Sequence, residues 1–102
     1  MLIHNVYFWL KPNTSEADRK GFEQGMKTFL DAVPQIKQYQ IGAPAATPKR
    51  DVVDQSFDYS MFVYLETLED QDIYQAHPAH DVFIANFKDL WDKVQVRDSE
   101  LV

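Results

Sequence analysis

The sequence predicts an α+β fold: one antiparallel sheet of four strands with helices stacked on one side of it. Three observations predict it. Leu2 to Lys11 and Phe57 to Glu66 alternate with period two, whereas Ser15 to Ala32 and Thr67 to Trp91 carry apolar residues at helical spacing. A short alternation over Val94 to Arg97 closes the pattern. At 102 residues the chain has room for one domain, spanning 1–102, around one hydrophobic core.

The first strand places Leu2, His4, Val6, Phe8 and Leu10 on one face and Ile3, Asn5, Tyr7, Trp9 and Lys11 on the other. Both faces are apolar. One can pack on the chain's own helices, and the other, with Ile3, Tyr7 and Trp9, needs a further covering layer that a second subunit would supply. Pro12 stops the strand. Ser15 and Asp18 form a capping signal, and Phe22, Met26, Phe29, Leu30 and Val33 set a helix from about Ser15 to about Ala32. Gly21 and Gly25 inside it each cost about 1 kcal/mol against alanine, unless a neighbour approaches closely. Pro34 ends the helix, and Ile36 to Ile41 reads as a short second strand. The stretch from Gly42 to Asp54, with Pro44, Pro48, Lys49, Arg50 and Asp51, reads as a solvated loop or flap.

The third strand runs from Phe57, with Phe57, Tyr59, Met61, Val63 and Leu65 on one face. Thr67 with Asp70 caps a short helix to about Ala76, and Pro78 suits the first turn of another that carries Phe83, Phe87, Leu90 and Trp91. Val94 and Val96 then alternate with Gln95 and Arg97 in the last strand. The order β-α-β-β-α-β is that of a ferredoxin-like split unit.

Composition narrows the function. Ten basic and sixteen acidic residues give a net charge of −6 without a basic stripe, which argues against nucleic acid. The absence of cysteine removes disulfides, thiolate catalysis and cysteine-based metal sites. No apolar run approaches the roughly 20 residues of a membrane span, and the opening residues lack the pattern of a secretory leader, so a cytoplasmic protein is expected. No glycine-rich phosphate loop or Gly-x-Ser-x-Gly elbow occurs.

Chemistry concentrates in Tyr74-Gln-Ala-His77-Pro-Ala-His80, a phenol and two imidazoles within seven residues at a helix start. His80 precedes Phe83, Ile84 and Phe87 on one helical stripe and therefore points inward, where desolvation disfavours its protonated form. His4 looks towards the same helices, and Asp98 continues the inner face of the last strand, where it could orient one imidazole. Taken singly, His4, Tyr74, His77 and Asp98 have a plainer reading as packed or capping groups; their convergence carries the functional one. His77 and His80 with His4 or Asp98 could be drawn as a metal site, but Pro78 disturbs the spacing and no carboxylate cluster supports it, so neither metal nor cofactor is expected.

Together, His4 on the early strand, the Tyr74-x-x-His77-Pro-Ala-His80 element and the Leu90-Trp91-Asp92-Lys93 run into a strand ending at Asp98 resemble the stress-responsive dimeric A/B barrel family, Dabb. The resemblance spans nearly the whole chain, and His-Pro-x-His followed by Phe83 is its most specific part. It implies a homodimer, a dimeric α/β barrel in which two sheets face each other across Ile3, Tyr7, Trp9, Phe62 and Tyr64. The family includes olivetolic acid cyclase, a polyketide cyclase. Carried over by motif, His80 and Tyr74 match catalytic positions, His4 matches a pocket-lining histidine, and His77 fills the first histidine of the motif. The implied pocket is lined by Val6, Phe8, Phe22, Met61 and Val63, and by His77, Phe83, Trp91 and Asp98. The expected function is a cofactor-independent cyclase or lyase that transfers a proton on a carbonyl compound. A non-enzymatic ligand-binding or structural dimer is one alternative, and a cofactor-free monooxygenase acting on an aromatic substrate is another.

Overall fold

A computed structural model describes all 102 residues. The elements are β1 (Leu2–Leu10), α1 (Glu16–Asp31), β2 (Ile36–Gly42), β3 (Tyr59–Leu65), α2 (Leu68–Ala76), α3 (Pro78–Phe87) and β4 (Trp91–Glu100), with a 3₁₀ turn over Lys88–Leu90. The four strands form one antiparallel sheet in the order β2-β3-β1-β4, which is the ferredoxin-like α+β fold. No helix is long and apolar enough to cross a membrane.

Period-two patterning fixes which face of the sheet is buried. On β1 every second residue from Leu2 to Leu10 is buried, and β3 repeats the pattern with Tyr59, Met61, Val63 and Leu65. The β1–β3 register sets His4 against Val63 and Val6 against Met61, so the two inner rows form a continuous floor. Phe22, Met26, Phe29 and Leu30 of α1, Tyr74 of α2 and Phe83 of α3 close over it. The helices start where their caps stand: Ser15 Oγ accepts from the Asp18 amide at 3.0 Å, and Thr67 Oγ1 from the Asp70 amide at 3.1 Å. Between β1 and α1 the chain reverses at Asn13, whose φ of 66° is a left-handed conformation that asparagine tolerates.

Two boundaries differ from the sequence expectation, and one strand pairing is irregular. The last helix ends at Phe87 instead of running on to Trp91, because a 3₁₀ turn keeps Leu90 at similar spacing while Trp91 already pairs with Leu10 on β1. The register slips between Trp9 and Leu10, and this irregularity brings Trp91 opposite Leu10. The third strand begins at Tyr59, two residues late, because Asp58 turns its side chain to staple other elements: its carboxylate accepts from the Leu10 amide at 2.7 Å and from Arg19 at 3.2 Å.

The segment between β2 and β3 is solvated over residues 45–52, as expected of a loop, and is tied down near its end. Gln55 Nε2 donates to the Ala45 and Thr47 carbonyls, Ser56 Oγ accepts from the Trp9 indole at 3.0 Å, and Phe57 packs edge-on against Tyr7 with ring centres 5.0 Å apart. The loop lies across the outer face of the sheet and itself covers part of the second apolar face of β1.

Candidate functional site

Three elements bring the predicted polar groups together. His4 sits mid-strand on the inner face of β1 and is buried. Tyr74 is on the last turn of α2, and His80 lies on the first turn of α3. The joint between these helices is His77, which ends α2 and caps α3 by accepting the Ala79 amide on Nδ1 at 3.0 Å. With Pro78 at the first helical position, this cap turns the chain so that Tyr74 and His80 face one space. The Tyr74 ring stands edge-on to both imidazoles, 5.2 Å from His4 and 5.5 Å from His80.

Electrostatics separate the roles these groups can take. Burial lowers the His80 pKa from its ordinary value, and nearby His4 adds to the shift while Asp81 opposes it. The imidazole is therefore neutral at pH 7 and free to accept a proton. Burial and the Asp98 charge push the Tyr74 phenol up, and no hydrogen bond enters that balance. The hydroxyl stays protonated and can donate. His4 Nδ1 meets Asp98 Oδ1 at 2.6 Å, because the β1–β4 register pairs these residues directly. That contact fixes the imidazole's orientation and directs its other nitrogen elsewhere.

A cavity of about 220 Å³ lies between these groups and the sheet. His4, Val6, Phe8, Met61, Tyr74, His80, Phe83 and Trp91 of the expected set line it. Phe22, Val63, His77 and Asp98 do not. Phe22 and Val63 are fully buried in the core, His77 is engaged in its cap, and Asp98 reaches the site only through His4. The lining also includes Phe29, Gln75, Ile84, Val94 and Val96, which the sequence reading left out. Their signals were present: Phe29 shares the helical stripe of Met26, Ile84 lies one turn beyond His80, and the two valines share a face with Asp98. A groove of about 490 Å³ between α1 and α3 and a hollow of about 320 Å³ under the β2–β3 loop are larger. Neither contains a histidine or joins a neutral base to a phenol, so the smaller space is the candidate site. No group of three or more His, Asp or Glu side chains converges in a way that could hold a metal ion.

The comparisons with known proteins agree with this architecture. The model of the stress responsive A/B barrel domain matches residues 2–101. The chain belongs to this Dabb family. No curated protein matches the chain in sequence. Among solved structures, a Dabb family protein with a ferredoxin-like fold from Mesorhizobium loti superposes with a TM-score of 0.80 at 20% identity, covering 99% of this chain and 96% of that one. A dimeric ferredoxin-like protein of unknown function from Thermobifida fusca gives 0.80 at 17% identity, covering 98% and 90%. The hydroxynitrile lyase from Passiflora edulis gives 0.84 at 15% identity, covering 99% and 93%. At these identities the likeness is one of fold, shared by this Dabb domain with neighbours that include dimeric proteins and a lyase.

Proposed function

We propose that the protein is a homodimeric A/B barrel enzyme of the cyclase or lyase kind, removing a proton next to the carbonyl of a small organic molecule in one pocket per subunit. His80 is the base, kept neutral by burial. Tyr74 donates a hydrogen bond to the carbonyl oxygen as negative charge develops there. His4, held by Asp98, positions the Tyr74 ring. The observation that carries this reading is a buried phenol standing edge-on to two imidazoles, all three lining one largely apolar cavity. The Passiflora edulis hydroxynitrile lyase supports it as far as fold goes, since a lyase is built on the same scaffold.

The homodimer rests on the outer sheet face, where Ile3, Tyr7, Trp9, Phe62 and Tyr64 remain only half-buried in the single chain. The dimeric neighbours support the same assembly. The test of catalysis compares wild type with His80→Ala and Tyr74→Phe for turnover of polyketide-like and simple carbonyl compounds, with thermal stability measured alongside. His80→Ala is expected to lose about 10²–10⁴-fold in rate. Turnover unchanged in both variants would overturn the proton-transfer roles. The 2.6 Å His4–Asp98 contact favours a second reading, a ligand-binding dimer without turnover, because one of the polar groups is already satisfied. Ligand binding by a wild type that turns nothing over would support it.

A further inference from the structure

We infer that the pocket takes a one-ring aromatic carbonyl compound admitted across β4, and that Val94 and Val96 set its size limit; this rests on the carbonyl reading above. Volume comes first. A cavity on the order of 150 Å³ lined by apolar side chains holds benzene, so the 220 Å³ here accommodates one ring plus a substituent of about three non-hydrogen atoms. An acetyl group is of that size.

The lining agrees with a flat ring. Phe29 and Phe83 stack with centres 4.8 Å apart, and Trp91 stands 5.1 Å from Phe8 and 5.7 Å from Phe83, which presents aromatic faces and edges to the cavity. Phe8, Phe29 and Phe83 are all buried core residues, so these walls cannot retreat without unpacking the fold. The polar end, Tyr74 with His80, fits one oxygen and an acidic C–H beside it.

The remaining side is open. Among the elements β4 has only β1 as an extensive neighbour, and Val94 and Val96 are 41% and 50% exposed although they line the cavity. An apolar row at the edge of a cavity and in contact with water is a mouth, and its two β-branched side chains are stiff. A ring that passes them is admitted; a fused second ring meets both the valines and the fixed phenyl walls.

The test titrates acetophenone and 2-acetylnaphthalene against the full chain, following methyl NMR signals of Val94, Val96 and Ile84, and repeats this with Val96→Phe and Val96→Ala. Acetophenone is expected to perturb these methyls and to bind about tenfold or more tightly than the bicyclic ketone. Val96→Phe should weaken acetophenone by about tenfold with little change in Tm, since residue 96 is half exposed, and Val96→Ala should narrow the gap between the ketones. Equal affinity for both ketones, no acetophenone binding at millimolar concentration, or indifference to Val96→Phe would overturn the inference. Exchange of the ketone methyl protons in D₂O separates the two readings. In that step the C–H bond breaks, its proton passes to His80, the electron pair moves to the oxygen, and the enolate recovers deuterium. Acetophenone that binds with the size limit intact but exchanges no faster than in buffer upholds the size limit and overturns the proton transfer. Equal acceleration for both ketones does the reverse.

Discussion

At the scale of single residues, the site contrasts two titratable groups whose surroundings push them in useful directions. His80 loses basicity through burial, and Tyr74 loses acidity through burial and the Asp98 charge. The rate of a His80-dependent reaction should rise with pH through a pKa below the ordinary 6.5 and reach its plateau by neutrality, which a rate–pH profile would reveal. Stability follows the same sign. Between the lowered folded pKa and the unfolded value the unfolded chain binds more protons, so ΔG of unfolding should fall as pH drops below about 6.5. His80→Ala should flatten that part of a denaturation series taken between pH 5 and 7. Tyr74→Phe keeps the buried ring, so it should cost little stability yet lower the rate by about 10²-fold if the hydroxyl stabilises the developing oxyanion. The inward stripe from His80 through Phe83 and Ile84 was legible in the sequence because helical spacing alone defines it. The partner of Asp98 was not. Which imidazole it holds depends on the β1–β4 register, a non-local property that brings residue 98 opposite residue 4.

At the scale of elements, the two glycines of α1 divide cleanly. A Cβ on Gly25 would lie 2.1 Å from the Phe87 ring, whereas one on Gly21 would meet nothing within 4 Å. Gly25 is thus the place where α3 approaches α1 closely, and Gly21 is merely tolerated. Gly21→Ala should stabilise by about 0.5–1 kcal/mol, the helix-propensity difference. For Gly25→Ala the same gain is opposed by overpacking worth about 1–3 kcal/mol, since the half-buried Phe87 must be displaced, leaving a net loss of about 1 kcal/mol. Chemical denaturation of both variants would check the opposite signs. Spacing showed the small residues but could not say which one faced a neighbour, because helix rotation is set by packing. It also overran the end of α3, since Phe87, Leu90 and Trp91 fit a helix as well as they fit a 3₁₀ turn entering a strand. The caps were fully legible. Ser15, Thr67 and Pro78 are local signals, and each stands where its helix begins.

At the scale of the whole molecule, the order of elements and the buried rows of β1 and β3 followed from period-two and helical patterns, because the sheet has one helix-covered face throughout. What patterning missed was the cover on the other face. The β2–β3 loop packs on Tyr7 and Trp9 through Phe57 and Ser56, and Phe62 and Tyr64 beside them remain half-buried in the single chain. Phe62→Glu should therefore split a sheet-to-sheet dimer into monomers, read by light scattering at matched concentration, while the inner core stays intact. The sheet order has one more consequence. Because β2 and β4 lie outermost, their free backbone groups invite fibril growth, yet β4 carries Asp92, Lys93, Arg97, Asp98 and Glu100, and β2 carries Lys37. An incoming chain would have to strip water from these charges, so the margins of the molecule act as built-in guards against amyloid.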